Sequence, residues 1–153
     1  MTSTASGEIV SIQLCLGVKE PMKTVSSARV IAGSGIEGDR HAASEGPRKD
    51  RQVLLMDQET LNALDLKPGD VRENVTTAGL DLSTLEPGHR VSLGAGVVLE
   101  ITGLCAPCAR MEEVRPGLQQ ELEGRRGQLA IVVEGGDISV GDPVGALESA
   151  SAD

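Results

Sequence analysis

The clearest chemical feature of the sequence is the cysteine pair in Cys105-Ala-Pro-Cys108. Pro107 suits the first position of a helix, which would place Cys108 at a helix N-terminus, where free N–H groups favour a thiolate. A thiolate there could act as a nucleophile, accept sulfur or bind a soft transition metal. The alternative is that Cys108 is a small buried apolar residue, as we expect for Cys15 in the first predicted strand.

The cysteine pair does not complete a zinc site. The chain has no second Cys-x-x-Cys, and its two histidines, His41 and His89, lack ligand spacing. We therefore expect no structural zinc. A thioredoxin-type redox pair is a further alternative, although no βαβ pattern surrounds the motif.

Residues 40–51 form a basic segment in an otherwise acidic chain, whose formal net charge is −9. Its charged residues are Arg40, Arg48, Lys49 and Arg51 against Glu45 and Asp50. With His41 beside them, these arginines could hold a small anion such as phosphate. The alternative is a solvated basic loop, because surface Arg and Lys are common.

Gly33, Gly35 and Gly38 match the G-x-G-x-x-G spacing of dinucleotide-binding proteins. That motif must open a helix whose N-terminus meets the pyrophosphate, whereas the residues that follow are polar and include Pro47. We therefore assign no dinucleotide site to these glycines.

The motif Arg72-Glu73-Asn74 places a guanidinium fork and an amide on one face of a predicted extended segment. Together they could hold a planar heterocycle or a phosphate, and Thr77 adds a hydroxyl nearby. The alternative is that Asn74 and Thr77 only satisfy turn and strand-end backbone groups.

Composition excludes several functions. The 153 residues include no Phe, Tyr or Trp, and the sequence pI is near 4.7. Base stacking needs aromatic side chains and phosphate-backbone binding needs positive charge, so we expect no nucleic-acid partner. We also expect a cytoplasmic protein without membrane association, because apolar runs are short, no signal peptide is evident and the cysteine count is odd.

The hydrophobic pattern predicts many short strands and a few short helices, which together favour a mainly β barrel or sandwich. The predicted strands are 8–16, 25–32, 52–56, 71–75, 90–93 and 97–102, followed by a hairpin of 129–133 and 138–144. The predicted helices begin after Asp57, at Cys108 and at Leu118.

Taken in order, the motifs resemble the MOSC domain, the C-terminal domain of molybdenum cofactor sulfurases, which also occurs alone. The matching stretches are Gly35-Ile-Glu-Gly-Asp-Arg-His41, Gln52-Val-Leu-Leu-Met56, Arg72-Glu-Asn74, Thr77-x-Gly79-Leu-Asp81, Gly88-x-Arg90-Val-x-Leu-Gly94, Pro107-Cys108 and Gly135-Gly-x-Ile-x-Val-Gly141-Asp142. The resemblance implies one domain over residues 1–153 with its core at about 7–145, and we expect residues 1–6 and 148–153 to be frayed. It implies a closed or partly closed β-barrel like the barrel domain of pyruvate kinase.

The resemblance also implies the site. Cys108 matches the family's characteristic cysteine, which is a proposed sulfur carrier and, in amidoxime-reducing relatives, the thiolate ligand of molybdenum. The residues expected to bind the molybdenum cofactor (molybdopterin) are Arg72, Asn74, Asp39, Arg40, His41 and Thr77. Cys105 is not a general family feature and could serve as a resolving thiol.

Three functions follow as hypotheses from these residues. The first is cofactor binding with Cys108 on molybdenum and reduction of N-hydroxylated compounds, which requires an electron-transfer partner. The second is carriage of a Cys108 persulfide received from a cysteine desulfurase. The third is a non-catalytic binding domain in which the cysteine is structural. The pyridoxal phosphate of the sulfurases belongs to another domain of those proteins, so it is a family-level association only.

Overall fold

The computed structural model describes residues 4–16, 22–39, 52–80, 82–104, 111–122 and 127–147. The strands in these ranges are β1 (Thr4–Leu14), β2 (Lys23–Val25), β3 (Ser27–Ile31), β4 (Gly35–Ile36), β5 (Val53–Asp57), β6 (Val75–Ala78), β7 (Arg90–Leu93), β8 (Val97–Leu104), β9 (Gln128–Glu134), β10 (Gly136–Ser139) and β11 (Pro143–Leu147). The helices are α1 (Gln58–Ala63), α2 (Met111–Val114) and α3 (Leu118–Glu121), with a 3₁₀ turn at Leu82–Thr84. Across the same ranges, no helix is long and apolar enough to span a membrane.

Seven of the described strands close into a barrel, which confirms the predicted mainly β fold. Their order around the barrel is β1, β11, β7, β8, β9, β5 and β6, and β6 returns to β1. Neighbouring strands are antiparallel except β5 and β6, which run parallel. Strand β2 extends the sheet beyond β1, while β10, β3 and β4 form a separate three-stranded sheet.

The barrel interior is filled by branched aliphatic side chains, because the chain has no aromatic residue to place there. Residues two apart on a strand share a face, so Val91 and Leu93 of β7 are buried while Arg90 and Ser92 between them are partly exposed. Fully buried examples from other strands are Ile9, Ile12, Leu55, Val75 and Leu99.

A second apolar cluster lies apart from the barrel core and holds the three helices. It consists of Met56, Leu61, Leu64, Leu66, Val71, Met111, Leu118 and Leu122. Because Val71 and Met111 belong to the same cluster, the 66–74 segment and α2 are packed in one region. That packing positions Arg72, the residue after Val71, close to the start of α2.

Gly127, just before β9, illustrates how closely the barrel backbone packs. A Cβ at this position would collide with the carbonyl group of Leu55, and its φ of 106° lies in the left-handed region. Glycine avoids both the collision and the strain, so β9 can pair closely with β5.

Several predicted elements are confirmed. Helix α1 begins after Asp57, whose Oδ2 accepts hydrogen bonds from the N–H of Thr60 (2.9 Å) and from its hydroxyl (2.7 Å). Strand β7 has the predicted bounds, and β8 begins where predicted and continues two residues further.

Three predicted elements differ from the structure. The segment 71–75 is a turn that becomes strand only at Val75, because the N–H of Arg72 bonds to the carbonyl of Gly69 and Arg72 has a left-handed φ of 64°. The segment 25–32 is divided into two strands at Ser26.

The predicted hairpin of 129–133 and 138–144 also differs from the structure. Strand β10 pairs with β3 in the smaller sheet, and β11 pairs with β1 and β7. Gly135 allows this path, because an added Cβ there would press on the Val30 carbonyl. The chain passes close to β3 there and pairs with it as β10 instead of reversing along β9.

Candidate functional site

A cavity of about 360 Å³ lies where β1, β2, the 66–74 segment and α2 meet. It is lined by Gln13, Met22, Thr24, Pro68, Gly69, Asp70, Arg72, Met111, Glu113 and Val114. Its volume falls in the range of small-molecule sites, which is about 300–1,000 Å³. Of the predicted site residues that the structure describes, Arg72 alone lines the cavity.

Arg72 is held in a defined position beside this cavity. Its left-handed backbone (φ 64°) and its N–H bond to Gly69 (2.9 Å) end the turn. Its Nη2 donates to the Sγ of buried Cys15 at 3.0 Å. Because the guanidinium is planar and offers several donors, it can hold Cys15 and still meet a carbonyl or phosphate in the cavity.

Asn74 has the backbone-satisfying role that the sequence analysis gave as its alternative. Its side chain is 1% exposed, and its Oδ1 accepts from the N–H of Leu54 at 3.0 Å. Its Nδ2 donates to the Gln13 carbonyl (3.3 Å) and to Asp39 Oδ1 (3.0 Å). The amide therefore connects β1, β5 and the segment after β4 through buried hydrogen bonds.

Asp39 belongs to the same network. Its Oδ1 accepts from the N–H of Cys15 (2.7 Å) as well as from Asn74, and the residue is buried. Cys15 in turn accepts from Arg72. Three predicted site residues therefore belong to one hydrogen-bond network. Asp39 bonds to both Asn74 and the N–H of Cys15, and the Sγ of Cys15 accepts from Arg72.

Thr77 lies on a different face from the other described site residues. It is two positions after Val75 on β6, so the two share the face directed into the barrel core. Its buried hydroxyl has no hydrogen-bond partner within the described part of the chain. Thr76, one position earlier, faces the cavity side, where its hydroxyl meets Gln13 and Glu73.

The remaining predicted site residues, Cys108, Arg40 and His41, lie outside the described residues, as do Cys105 and the rest of the basic segment. In the sequence, Cys108 precedes the cavity residue Met111 by three positions. Among the residues that are described, no group of three or more His, Cys, Asp or Glu side chains could hold a metal ion.

The sequence analysis assigned no role to two buried polar residues of this region, Gln13 and Glu73. Gln13 Nε2 donates to the Glu73 carbonyl (2.9 Å) and to Thr76 Oγ1 (3.3 Å), and Thr76 Oγ1 donates to Glu73 Oε2 (2.7 Å). The only signal available was the position of Glu73 between Arg72 and Asn74, in the middle of a motif.

Glu73 is a buried carboxyl group without a cation beside it in the described residues. Burial raises its pKa, and the charge of Asp70 acts in the same direction. The nearby N–H of Gly69 and the hydroxyl of Thr76 offset part of this effect. The folded chain therefore holds the Glu73 proton at pH values where the unfolded chain has lost it.

This shift predicts how stability depends on pH. Because the folded-state pKa is raised, the contribution of Glu73 is present at acid pH and lost as pH rises through the raised pKa. In urea unfolding at pH 7.5, we expect Glu73→Gln to be more stable than wild type, with the difference shrinking as pH falls toward the ordinary glutamate value of 4.5. The exposed control Glu134→Gln on β9 should show no such pH-dependent gain. A Glu73→Gln protein less stable than wild type at pH 7.5 would contradict this assignment.

Comparisons with known proteins agree with this architecture. The family model for the MOSC domain matches residues 37–145. The solved structure of YuaD from Bacillus subtilis superposes with a TM-score of 0.78 and 22% identity, covering 92% of this chain and 95% of that one. YiiM from Geobacillus stearothermophilus gives a TM-score of 0.73 and 19% identity, covering 93% of this chain and 75% of that one.

YiiM from Escherichia coli gives a TM-score of 0.66 and 18% identity, covering 92% of this chain and 70% of that one. A search of curated proteins finds no match. At these identities the likeness shows a shared fold.

Proposed function

Because this chain belongs to the MOSC domain family, which is associated with molybdenum cofactor binding, we propose that it binds that cofactor with Cys108 as the thiolate ligand of molybdenum. The observation that carries the proposal is Arg72, whose guanidinium is fixed by Cys15 beside a cavity of about 360 Å³. The wall of that cavity includes Met111, three residues after Cys108.

The described residues fit such a ligand. A guanidinium fork suits the carbonyl and phosphate oxygens of a molybdopterin, and the cavity has the volume of a small-molecule site. Three residues of chain span at most about 11 Å, so Cys108 is covalently restricted to the neighbourhood of Met111. A soft thiolate is also a suitable ligand for a transition metal.

The other site residues have distinct roles in this proposal. Asp39 and Asn74 hold the strand end that carries Cys15, and through it they position Arg72. Arg40, His41 and the basic segment would meet the negatively charged phosphate of the cofactor. When bound, the cofactor supplies two-electron chemistry at molybdenum, and the resemblance to amidoxime-reducing relatives suggests N-hydroxylated compounds as substrates.

Replacement of Arg72 tests the proposal at a described residue. We expect Arg72→Gln, expressed in a host that makes the cofactor, to retain at most about one tenth of the wild-type molybdenum and pterin, because a charge-assisted fork is removed. The matched control is Arg90→Gln, which loses the surface pair with Glu100 (3.3 Å) and should keep full cofactor content. Equal cofactor content in wild type and Arg72→Gln would show that Arg72 does not contribute to cofactor binding.

A further inference from the structure

The segment that carries Arg72 contains a buried acid to which the proposed function gives no role. Glu73 is 0% exposed, and its Oε2 accepts from the Thr76 hydroxyl at 2.7 Å. Its Oε1 has no hydrogen-bond partner in the described part of the chain. An ionised carboxylate at this position would be shielded from water, and no described cation acts on it. The packing around Glu73 therefore accommodates the neutral carboxyl group better than the charged one.

The Glu73 carboxyl belongs to the same turn that fixes Arg72. The N–H of Gly69 lies near this carboxyl, and the Gly69 carbonyl accepts from the N–H of Arg72 at 2.9 Å. Arg72 has a left-handed backbone (φ 64°), which a residue with a side chain keeps only where its surroundings hold it. An opening that brings water to the Glu73 carboxyl separates it from Gly69 and Thr76, and it therefore also frees the backbone of Arg72.

The same opening uncovers Cys15. Arg72 Nη2 donates to the Sγ of Cys15 at 3.0 Å, and Cys15 is 1% exposed. Because Arg72 and Glu73 are consecutive residues of one turn, opening of the turn takes the guanidinium away from the sulfur. A thiol reagent reaches Cys15 in this open state, so the rate at which Cys15 is labelled measures how often the turn opens.

Several charged and titratable groups surround this turn. Those of its own segment and of the elements packed around it are Lys67, Asp70, Arg72, Asp39, Cys15 and Glu113. Asp70 is the group whose charge acts on the Glu73 carboxyl, and it opposes ionisation. The guanidinium of Arg72 is bonded to Cys15 instead. Strands β1 and β6 contact Glu73 through side chains that do not titrate, those of Gln13 and Thr76.

We propose that Glu73 is a positioning residue whose neutral carboxyl keeps this turn closed, so that loss of its proton favours opening and releases Arg72 from Cys15 and from the cavity. The ionised carboxyl gains hydration only in the open segment, so the closed segment retains the proton. Burial raises the pKa of Glu73. The stabilisation of the closed turn is therefore complete below the ordinary glutamate value of 4.5 and is lost as pH rises through the raised pKa. The inference rests on the proposed function for the role of Arg72, and it predicts weaker cofactor binding in alkaline solution.

Labelling of Cys15 with iodoacetamide tests this role in the purified full-length chain. The rate at Cys15 is followed by mass spectrometry between about pH 5 and about pH 8 and divided by the rate in Glu73→Gln, whose side chain is neutral throughout this range. The division cancels the pH dependence of the thiol itself. We expect the ratio to rise at least about fivefold, because linkage allows up to about tenfold per pH unit between the open-state and closed-state pKa values. The matched control Glu134→Gln, at an exposed position, should show the same rise as wild type.

Infrared spectroscopy gives a second readout, which a merely structural role of Glu73 would not change. A neutral carboxyl group has a C=O stretching band that an ionised carboxylate lacks. The difference spectrum of wild type minus Glu73→Gln should contain this band above pH 4.5 and lose it over the pH range in which Cys15 labelling rises. The wild-type chain also decides alone, since its Cys15 rate divided by that of N-acetylcysteine should show the same rise.

Failure of this inference is distinguishable from failure of the proposed function, because neither measurement needs the cofactor. A labelling ratio that stays constant with pH, or a difference spectrum without the carboxyl band above pH 4.5, overturns the role of Glu73 even if the protein carries molybdenum. A rising ratio in a protein that never carries molybdenum supports the role of Glu73 and overturns the proposed function.

Discussion

Replacing Asn74 with alanine is expected to lower the free energy of unfolding by at least about 3 kcal/mol. The change leaves the buried Leu54 N–H without its acceptor and takes a donor from the Gln13 carbonyl and from Asp39 Oδ1, which keeps the N–H of Cys15. A buried group costs about 1–3 kcal/mol when it is left unpaired. Since a domain of this kind has a total stability of about 5–15 kcal/mol, urea unfolding followed by far-UV circular dichroism should show a large shift.

Two further variants make this result specific. Asn62 is exposed on α1, where its Oδ1 accepts from Gln58, so Asn62→Ala should change stability by less than about 0.5 kcal/mol. Asn74→Asp keeps an acceptor for Leu54 but turns an oxygen toward the Gln13 carbonyl and Asp39, so it should be destabilised at neutral pH and partly recover in acid. An Asn74→Ala protein as stable as Asn62→Ala would show that the buried network does not hold β1 and β5.

The second large effect concerns Cys108. Expressed in a cofactor-competent host, Cys108→Ser is expected to lose nearly all bound molybdenum, because a hydroxyl is a poor substitute for a soft thiolate ligand. Its unfolding midpoint should stay close to that of cofactor-free wild type, since bound cofactor itself raises the midpoint. Molybdenum is measured by elemental analysis and pterin by fluorescence after extraction.

Cys105→Ser is the matched control for this experiment, since it changes the same side chain three residues away. It should retain molybdenum if Cys105 acts only as a resolving thiol. Thiol trapping of wild type after incubation with a cysteine desulfurase separates the sulfur-carrier alternative. A persulfide on Cys108 in a protein that never binds molybdenum would favour sulfur carriage over cofactor binding. Unchanged molybdenum content in Cys108→Ser would show that Cys108 is not a ligand of the metal.

The sequence predicted correctly those helices and strands whose start, or whose buried face, is determined by residues close together in the chain. Asp57 before an apolar helical pattern marks the start of α1, and the alternation of β7 shows directly which side chains enter the barrel. The predominance of strands follows from short Val-rich segments separated by glycine and proline. The closed barrel required the family resemblance, because pairing of β1 with β11 and β6 joins residues far apart in the chain.

The hydrogen-bond network of the site could not be predicted from neighbouring residues, because it also joins residues far apart in the chain. Gln13 meets Glu73 across 60 positions, and Cys15 meets Arg72 across 57. The left-handed position of Arg72 is not occupied by glycine, so the sequence did not indicate it and the segment from Val71 to Val75 resembled a strand. The cofactor-binding role predicted for Asn74 stays a prediction, and the structure shows its side chain bonded to backbone groups and to Asp39.

The most direct test of the central claim is the molybdenum and pterin content of the wild-type protein purified from a cofactor-competent host. The proposal expects molybdenum and pterin in nearly equal amounts, approaching one of each per chain. It is contradicted if the folded protein carries neither, with a second molybdenum protein from the same cells confirming that the cofactor was available.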